Sequence, residues 1–162
     1  MPDGYTMQDV ELLEPTAQDV PELGRICYAA FRHISERHGF APDFPDPETA
    51  AKVVGFIMGL PGSFKIAARI NGRLVGSNFL LLTDEVAGVG PITVDPDYQS
   101  RGVGRRLMVA SLDYARQHGF ERVRLLQDSF NRASLSLYAS FWDHVDLESL
   151  QQSLSCGIAF FV

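Results

Sequence analysis

The chain has 162 residues, 46% hydrophobic and 21% charged, the make-up of one ordinary globular domain with room for a core. Its 14 Lys and Arg against 20 Asp and Glu leave a net charge of −6, which argues against non-specific binding to nucleic acid or to a membrane surface and favours a cationic small molecule or a lysine-containing peptide as partner. No apolar run is long enough to span a bilayer, the opening MPDGYTMQDVELLEP is not a secretory signal, and Cys27 and Cys156 neither form a zinc site alone nor demand a disulfide, so the expectation is a metal-free cytoplasmic protein.

Val10 to Glu14 reads as a short first strand ended by Pro15, with Thr16 placed to cap the next turn. From Asp19 the apolar residues recur at helical period and Gly39 stops them. FAPDFPDP is a proline-rich loop, too long for a tight turn and therefore a candidate substrate-side loop. Pro47 opens a second helix, with Ala51, Val54 and Met58 along one side, ending near Pro61. Two strand-like runs, FKIAARI and RLVGSNFLLL, flank Asn71-Gly72, a pair suited to a type I′ hairpin turn. VAGVGPITV is the next strand, and its Gly88, Gly90 and Pro91 suggest a bulge or a place where a ligand lies against the backbone. A helix follows with Val103, Leu107, Ala110, Tyr114 and Ala115 as its buried stripe, ended by His118-Gly119. ERVRLLQ is a strand, and Asn131 to Phe141 a last clear helix. This order predicts an α/β fold, mostly antiparallel in its first half, with one crossover near residues 92 to 127.

Residues 94 to 107, VDPDYQSRGVGRRL, carry the chemistry. A strand runs into a turn at Asp95-Pro96, a loop brings Gly102 and Gly104, and Arg105 and Arg106 open the helix. Such a strand, glycine turn and helix start form an anion site, because free backbone N–H groups and the positive end of the helix dipole face one spot. With Arg101, three cations fall within six residues, which points to a phosphate-bearing ligand. A dinucleotide-binding loop would need a third glycine where Leu107 stands, and a Walker loop would need Gly-Lys-Ser/Thr, which is absent.

The segment QSRGVG, Gln99 to Gly104, resembles motif A of the GNAT superfamily of acyl-CoA N-acyltransferases: Arg or Gln, two residues, Gly, one residue, then Gly or Ala. The preceding VDP and the later NRASLSLYASF match the family's surroundings, and the likeness covers roughly residues 8 to 141. The resemblance implies the GNAT fold, a mixed, mostly antiparallel sheet flanked by helices, over residues 1–162 as one N-acetyltransferase domain. It implies acetyl-CoA as cosubstrate and a primary amine of a small molecule or peptide as acceptor. Backbone N–H groups of Gln99, Ser100, Arg101, Gly102, Val103, Gly104 and Arg105 would cradle the coenzyme A pyrophosphate. Ile92, Thr93 and Val94 would pair strand-like with the pantetheine arm, and Asn131 would bond that arm or the pyrophosphate. Tyr138 would protonate the departing thiolate, and a backbone N–H near Ile92 to Val94 would hold the oxyanion. Read without the family, Asn131 is equally an N-cap and Tyr138 a core residue.

Three features stand outside the pattern. The acceptor amine, with a pKa near 10.4 if lysine-like, must lose a proton before attack. Many members of the superfamily place a glutamate on the strand preceding motif A; AGVGPITV has no carboxylate, and neither Asp84, Glu85 nor Asp128 matches a motif position. No base is therefore assigned, and a coenzyme A-binding module with little turnover is the alternative function. Phe40, Phe44 and Phe56 either line an acceptor pocket or, the favoured reading, serve core and loop packing. After Phe141 the likeness stops: the expected Gly-Phe and two further strands are replaced by WDHVDLESLQQSLSCGIAFFV, with Leu147, Leu150 and Leu154 at helical spacing and GIAFFV as one short strand. A frameshift near residue 141 would produce such a break, and a natural truncation or lineage-specific tail is the rival; the alternate reading frame of the gene distinguishes them. An unpaired sheet edge there would invite association with another chain, and the apolar ending GIAFFV would pair within the fold, pair across a homodimer or drive aggregation.

Overall fold

A computed structural model of the chain describes residues 9–127, 131–141 and 158–161. The first strand, β1 (Glu11–Leu13), leads through a short 3-10 turn into α1 (Val20–Arg37). The Thr16 N–H and hydroxyl both donate to the Asp19 carboxylate, at 2.7 and 2.9 Å, which fixes the entry to that helix. Its apolar period buries Leu23, Ile26 and Cys27 completely, and Gly39, at φ +74°, turns the chain out of it. The second helix, α2 (Pro47–Met58), starts with Pro47 at a position that needs no N–H, and the Asp46 carboxylate accepts the Thr49 N–H at 2.7 Å.

The two helices cross closely at Gly24. A Cβ built there would stand 2.4 Å from the Ala51 Cα and 2.7 Å from its backbone nitrogen, atoms that no rotamer change can move. Gly24→Ala is therefore expected to cost about 2–3 kcal/mol, the upper range for overpacking, and to lower the thermal midpoint by roughly 5–10 °C. A midpoint within a degree of the parent would show that the two helices part there at little cost.

The hairpin forms as the sequence predicts. Strands β2 (Ser63–Ile70) and β3 (Arg73–Leu81) pair antiparallel around Asn71 and Gly72, both at positive φ (50° and 78°), the requirement of a type I′ turn. Strand β1 joins β2 antiparallel. The expected strand VAGVGPITV is split into β4 (Ala87–Val89) and β5 (Thr93–Val94), both antiparallel to β3. The chain then enters a 3-10 turn at Pro96–Tyr98 and α3 (Val103–Gln117), and returns as β6 (Val123–Gln127), parallel to β4. This is the single predicted crossover. Helix α4 (Arg132–Ala139) follows, and β7 (Ile158–Phe161) pairs antiparallel with β6. The apolar ending thus pairs within the fold, the first of the three outcomes anticipated for it. The Leu147, Leu150 and Leu154 repeat and Asp128 lie outside the described residues. The sheet order is β1-β2-β3-β4-β6-β7, with β5 also on β3. Among the described residues, no helix is long and apolar enough to cross a membrane.

Helices α1 and α2 cover one face of the sheet, packing on Ala67, Leu74 and Phe79. On the other face α3 packs on Ile66, Ala68, Ile70 and Val75 through Val103 and Leu107. Further along, Met108, Leu112 and Ala115 meet Leu80, Ala87, Val123 and Leu125, with Tyr138 of α4 in the same cluster. In the first layer, burial and the nearby Asp43 carboxylate push the Cys27 thiol up to about 12. A thiol held neutral in the folded state but free to ionise when unfolded adds stability in full below its ordinary value, and that contribution is lost as pH rises from about 9 towards 12. The fall in thermal midpoint between pH 8.5 and 10.5 should accordingly be smaller in Cys27→Ala than in the parent. Parallel profiles would contradict this.

Candidate active site

The two halves of the predicted strand part where the sequence places Gly90 and Pro91. Gly90 has φ +133° and its N–H reaches the Phe79 carbonyl at 2.9 Å, whereas the following proline has no N–H to offer a ladder. The parallel pairing with β6 ends at Val89↔Leu125, yet β5 regains β3 at Ser77↔Thr93 and Gly76↔Val94. A fork results, with β5 held on β3 alone. Asp95 N–H points to Val75 of β3, at 2.8 Å to its carbonyl. The alternation of an extended chain then turns Thr93 the same way and directs the N–H and C=O of Val94 into the fork. Close approach makes this possible: a Cβ on Gly76 would lie 2.6 Å from the Thr93 carbonyl oxygen.

Beyond β5 the chain coils into the anion site. Asp95 Oδ1 accepts the Asp97 N–H at 3.1 Å, Tyr98 is buried, and the Gln99 side-chain amide donates to the Val94 carbonyl at 3.0 Å. Ser100 lies at φ +59° and Gly102 at φ +83°, so the backbone turns left-handed twice just before α3. Gly102 is the N-cap residue, so it offers no side-chain acceptor, and no acidic residue occupies the first turn. Arg105 and Arg106 stand there instead, the sign opposite to what a helix N-terminus prefers. Helix α2, with its Asp46 cap and Glu48, shows the ordinary solution. The start of α3 is thus suited to an external anion that meets the backbone N–H groups. Val103, 1% exposed, locks the roll of the helix.

The other predicted residues sit beside this cradle on α4. Asn131 is the N-cap of α4 and accepts the Ser134 N–H at 3.2 Å. A Cβ on Gly104 would meet Leu137 Cδ2 at 3.2 Å and Val94 Cγ2 at 3.7 Å, so the second motif glycine is also the seat of α4. Arg105 Nη2 donates to Ser140 Oγ at 2.6 Å and its guanidinium lies 5.0 Å from the Phe141 ring. The Arg105 side chain is therefore directed at α4, which leaves its backbone N–H as the group offered to a ligand. Tyr138 is 5% exposed, and burial holds its phenol above the ordinary tyrosine value, so it carries its proton throughout the neutral range.

On the far arm of the fork, Leu81, Thr83, Asp84, Gly88, Val89, Gly90 and Arg124 line a hollow of about 230 Å³. Its only described carboxylate, Asp84, is bound to Arg124 at 2.9 Å, and no base is assigned among the described residues. Phe44 packs edge-on against Phe31 (centroids 5.6 Å, 87°) as expected, and Phe40 is half-exposed, but Phe56 is 69% exposed, which corrects the packing role read for it. Sequence reasoning missed the Arg25–Asp95 ion pair, at 3.0 Å, and the tight Gly76–Thr93 contact. Asp95 was legible as a turn residue, but nothing marked its partner 70 positions earlier.

Residues 18–141 match the family described as the Acetyltransferase (GNAT) family. Among curated proteins, a mycothiol acetyltransferase of Clavibacter sepedonicus is 36% identical over 85 residues, 51% of this chain and 28% of that protein. Another, from Tsukamurella paurometabola, is 29% identical over 143 residues, 85% of this chain and 47% of that protein. The chain thus spans about a quarter to a half of the length of these relatives. A PaiA N-acetyltransferase from Thermoplasma acidophilum, solved in complex with coenzyme A, superposes with a TM-score of 0.78 at 12% identity, covering 94% of this chain and 97% of that one, a likeness of fold.

Proposed function

The chain belongs to the acetyltransferase (GNAT) family, and we propose that it transfers the acetyl group of acetyl-CoA to a primary amine of a small molecule or peptide in the cytoplasm. One observation carries the reading: a left-handed loop and an acid-free helix start stand next to a strand edge turned into a fork, so a pyrophosphate and the amide-bearing arm joined to it can be held together. The pyrophosphate meets the N–H groups of residues 100–105, because the Gln99 N–H already donates to the Pro96 carbonyl at 3.5 Å, and the pantetheine arm lies along Ile92 to Val94. Because Gln99 occupies the Val94 carbonyl, the Val94 N–H is the group left for the arm or for the oxyanion. Asn131, which caps α4, is a further contact to the arm in this reading.

In the reaction the amine lone pair attacks the thioester carbon and the carbonyl electrons move to oxygen, where a backbone N–H of the 92–94 segment stabilises the charge. The C–S bond then breaks, Tyr138 gives its proton to the leaving thiolate, and the nitrogen loses its extra proton to water. The hollow lined by Gly88, Val89 and Gly90 is the site this reading gives to the acceptor. Since relatives act as mycothiol acetyltransferases, a mycothiol-type acceptor heads the amine panel, followed by peptides with a free N-terminus or a lysine.

The test is release of free thiol from acetyl-CoA in the presence of that panel. Acceptor-dependent thiol release supports the reading. Coenzyme A binding without release on any amine favours a binding module instead, a reading that the lack of a carboxylate on β4 and β5 keeps specific.

A further inference from the structure

We infer that the Arg25–Asp95 ion pair is a positioning device that sets the pyrophosphate loop from α1, on the opposite face of the sheet. The inference rests on the coenzyme A reading above. Asp95 closes β5 and begins the turn into the motif, yet its side chain is only 5% exposed. A carboxylate buried so deeply is costly unless it is paired and hydrogen-bonded. Asp95 is both: Oδ1 accepts the Asp97 N–H, Oδ2 receives Arg25 Nη2 at 3.0 Å, and Arg73 Nη2 lies 3.7 Å away.

Arg25 is itself held. Its Nε and Nη2 donate to the two oxygens of Glu22, one turn earlier on α1, at 3.1 and 2.9 Å. Arg73, at the start of β3, adds a second grip, because its guanidinium lies 5.9 Å from the ring of Tyr98. Asp95 and Tyr98 bracket the 3-10 turn, and Gln99 follows with its amide tied to Val94. The first half of the loop is therefore fixed by side chains from α1 and β3, and only Ser100 to Gly102 separates it from the helix start. An ion pair on a buried carboxylate is a poor source of net stability but a good means of fixing register. Here the register in question is the distance from the β5 edge to the N–H groups of α3, which a pantetheine arm and its pyrophosphate must span together.

Affinity for coenzyme A itself, measured by titration calorimetry well below every variant's melting point, tests this. Arg25→Leu and Asp95→Asn are each expected to weaken binding roughly 10-fold, and the double variant to be no weaker than either single one, since the two side chains act as a unit. The Asn can still accept the Asp97 N–H, so it isolates the ion pair from the turn. Arg25→Lys, which keeps the charge, should stay within about 3-fold. If Arg25→Leu does not fold, Arg25→Gln serves in its place. Affinity unchanged in both single variants, with only the melting point lowered, would reduce the pair to a structural role and overturn the inference. Additive losses would overturn it too. A parent chain that binds no coenzyme A would instead overturn the reading of the site.

Discussion

Gly102→Glu is expected to give a folded chain that no longer binds coenzyme A. Two effects act at one position. The backbone there has φ +83°, a conformation that costs a residue with a side chain about 1–3 kcal/mol. The added carboxylate then stands at the N-terminus of α3, where the pyrophosphate must sit. Two unit charges about 4 Å apart near a protein surface repel by about 4 kcal/mol, which corresponds to roughly three orders of magnitude in affinity. Gly102→Ala separates the effects, because it introduces the strain without the charge. Calorimetric titration should find no binding for the glutamate variant and a modest loss for the alanine. Unchanged affinity in Gly102→Glu would remove the pyrophosphate from this site. The same substitution at Gly104 is less clean, since any side chain there also strikes Leu137.

Tyr138→Phe should slow turnover about 100-fold, the low end for a lost general acid, while affinity for coenzyme A stays within about 2-fold. The ring remains to fill its place among Leu80, Met108 and Leu125, so the change removes one hydroxyl and little packing. Burial favours the neutral phenol, so the proton to be given is in place when the thiolate departs. Steady-state kinetics with a competent acceptor decide the matter. Equal turnover would make Tyr138 a packing residue, the other reading its position allows.

Much of this site is local in sequence, which is why it could be read there. Asn71-Gly72, Gly39 and Gly119 mark turns and helix ends because only certain residues adopt positive φ cheaply, and each does so. The anion loop is likewise written in adjacent residues, and Gly90-Pro91 marked where β4 gives way to β5. What escaped depends on partners far along the chain. Gly24 is required by Ala51, Gly76 by Thr93, and Asp95 is buried because Arg25 and Arg73 arrive from two other elements. No period or motif encodes those meetings. Phe56 escaped for the opposite reason: hydrophobicity predicts burial on average, but this ring falls where no neighbour covers it fully.

The contact between Gly104 and Leu137 ties two functions into one thermodynamic unit. The cradle occupies the first turn of α3, the proposed acid rides on α4, and the space between them is one missing methyl group wide. Arg105 clasps the far end of α4 at Ser140. Opening α4 therefore exposes the wall of the cradle, and a ligand that orders the cradle raises the free energy of that opening by the same amount. Amide hydrogens of α4, none of which need touch coenzyme A, should exchange more slowly when it is bound. The acid would then be firmest in its place at the moment a thioester is present for it to act upon.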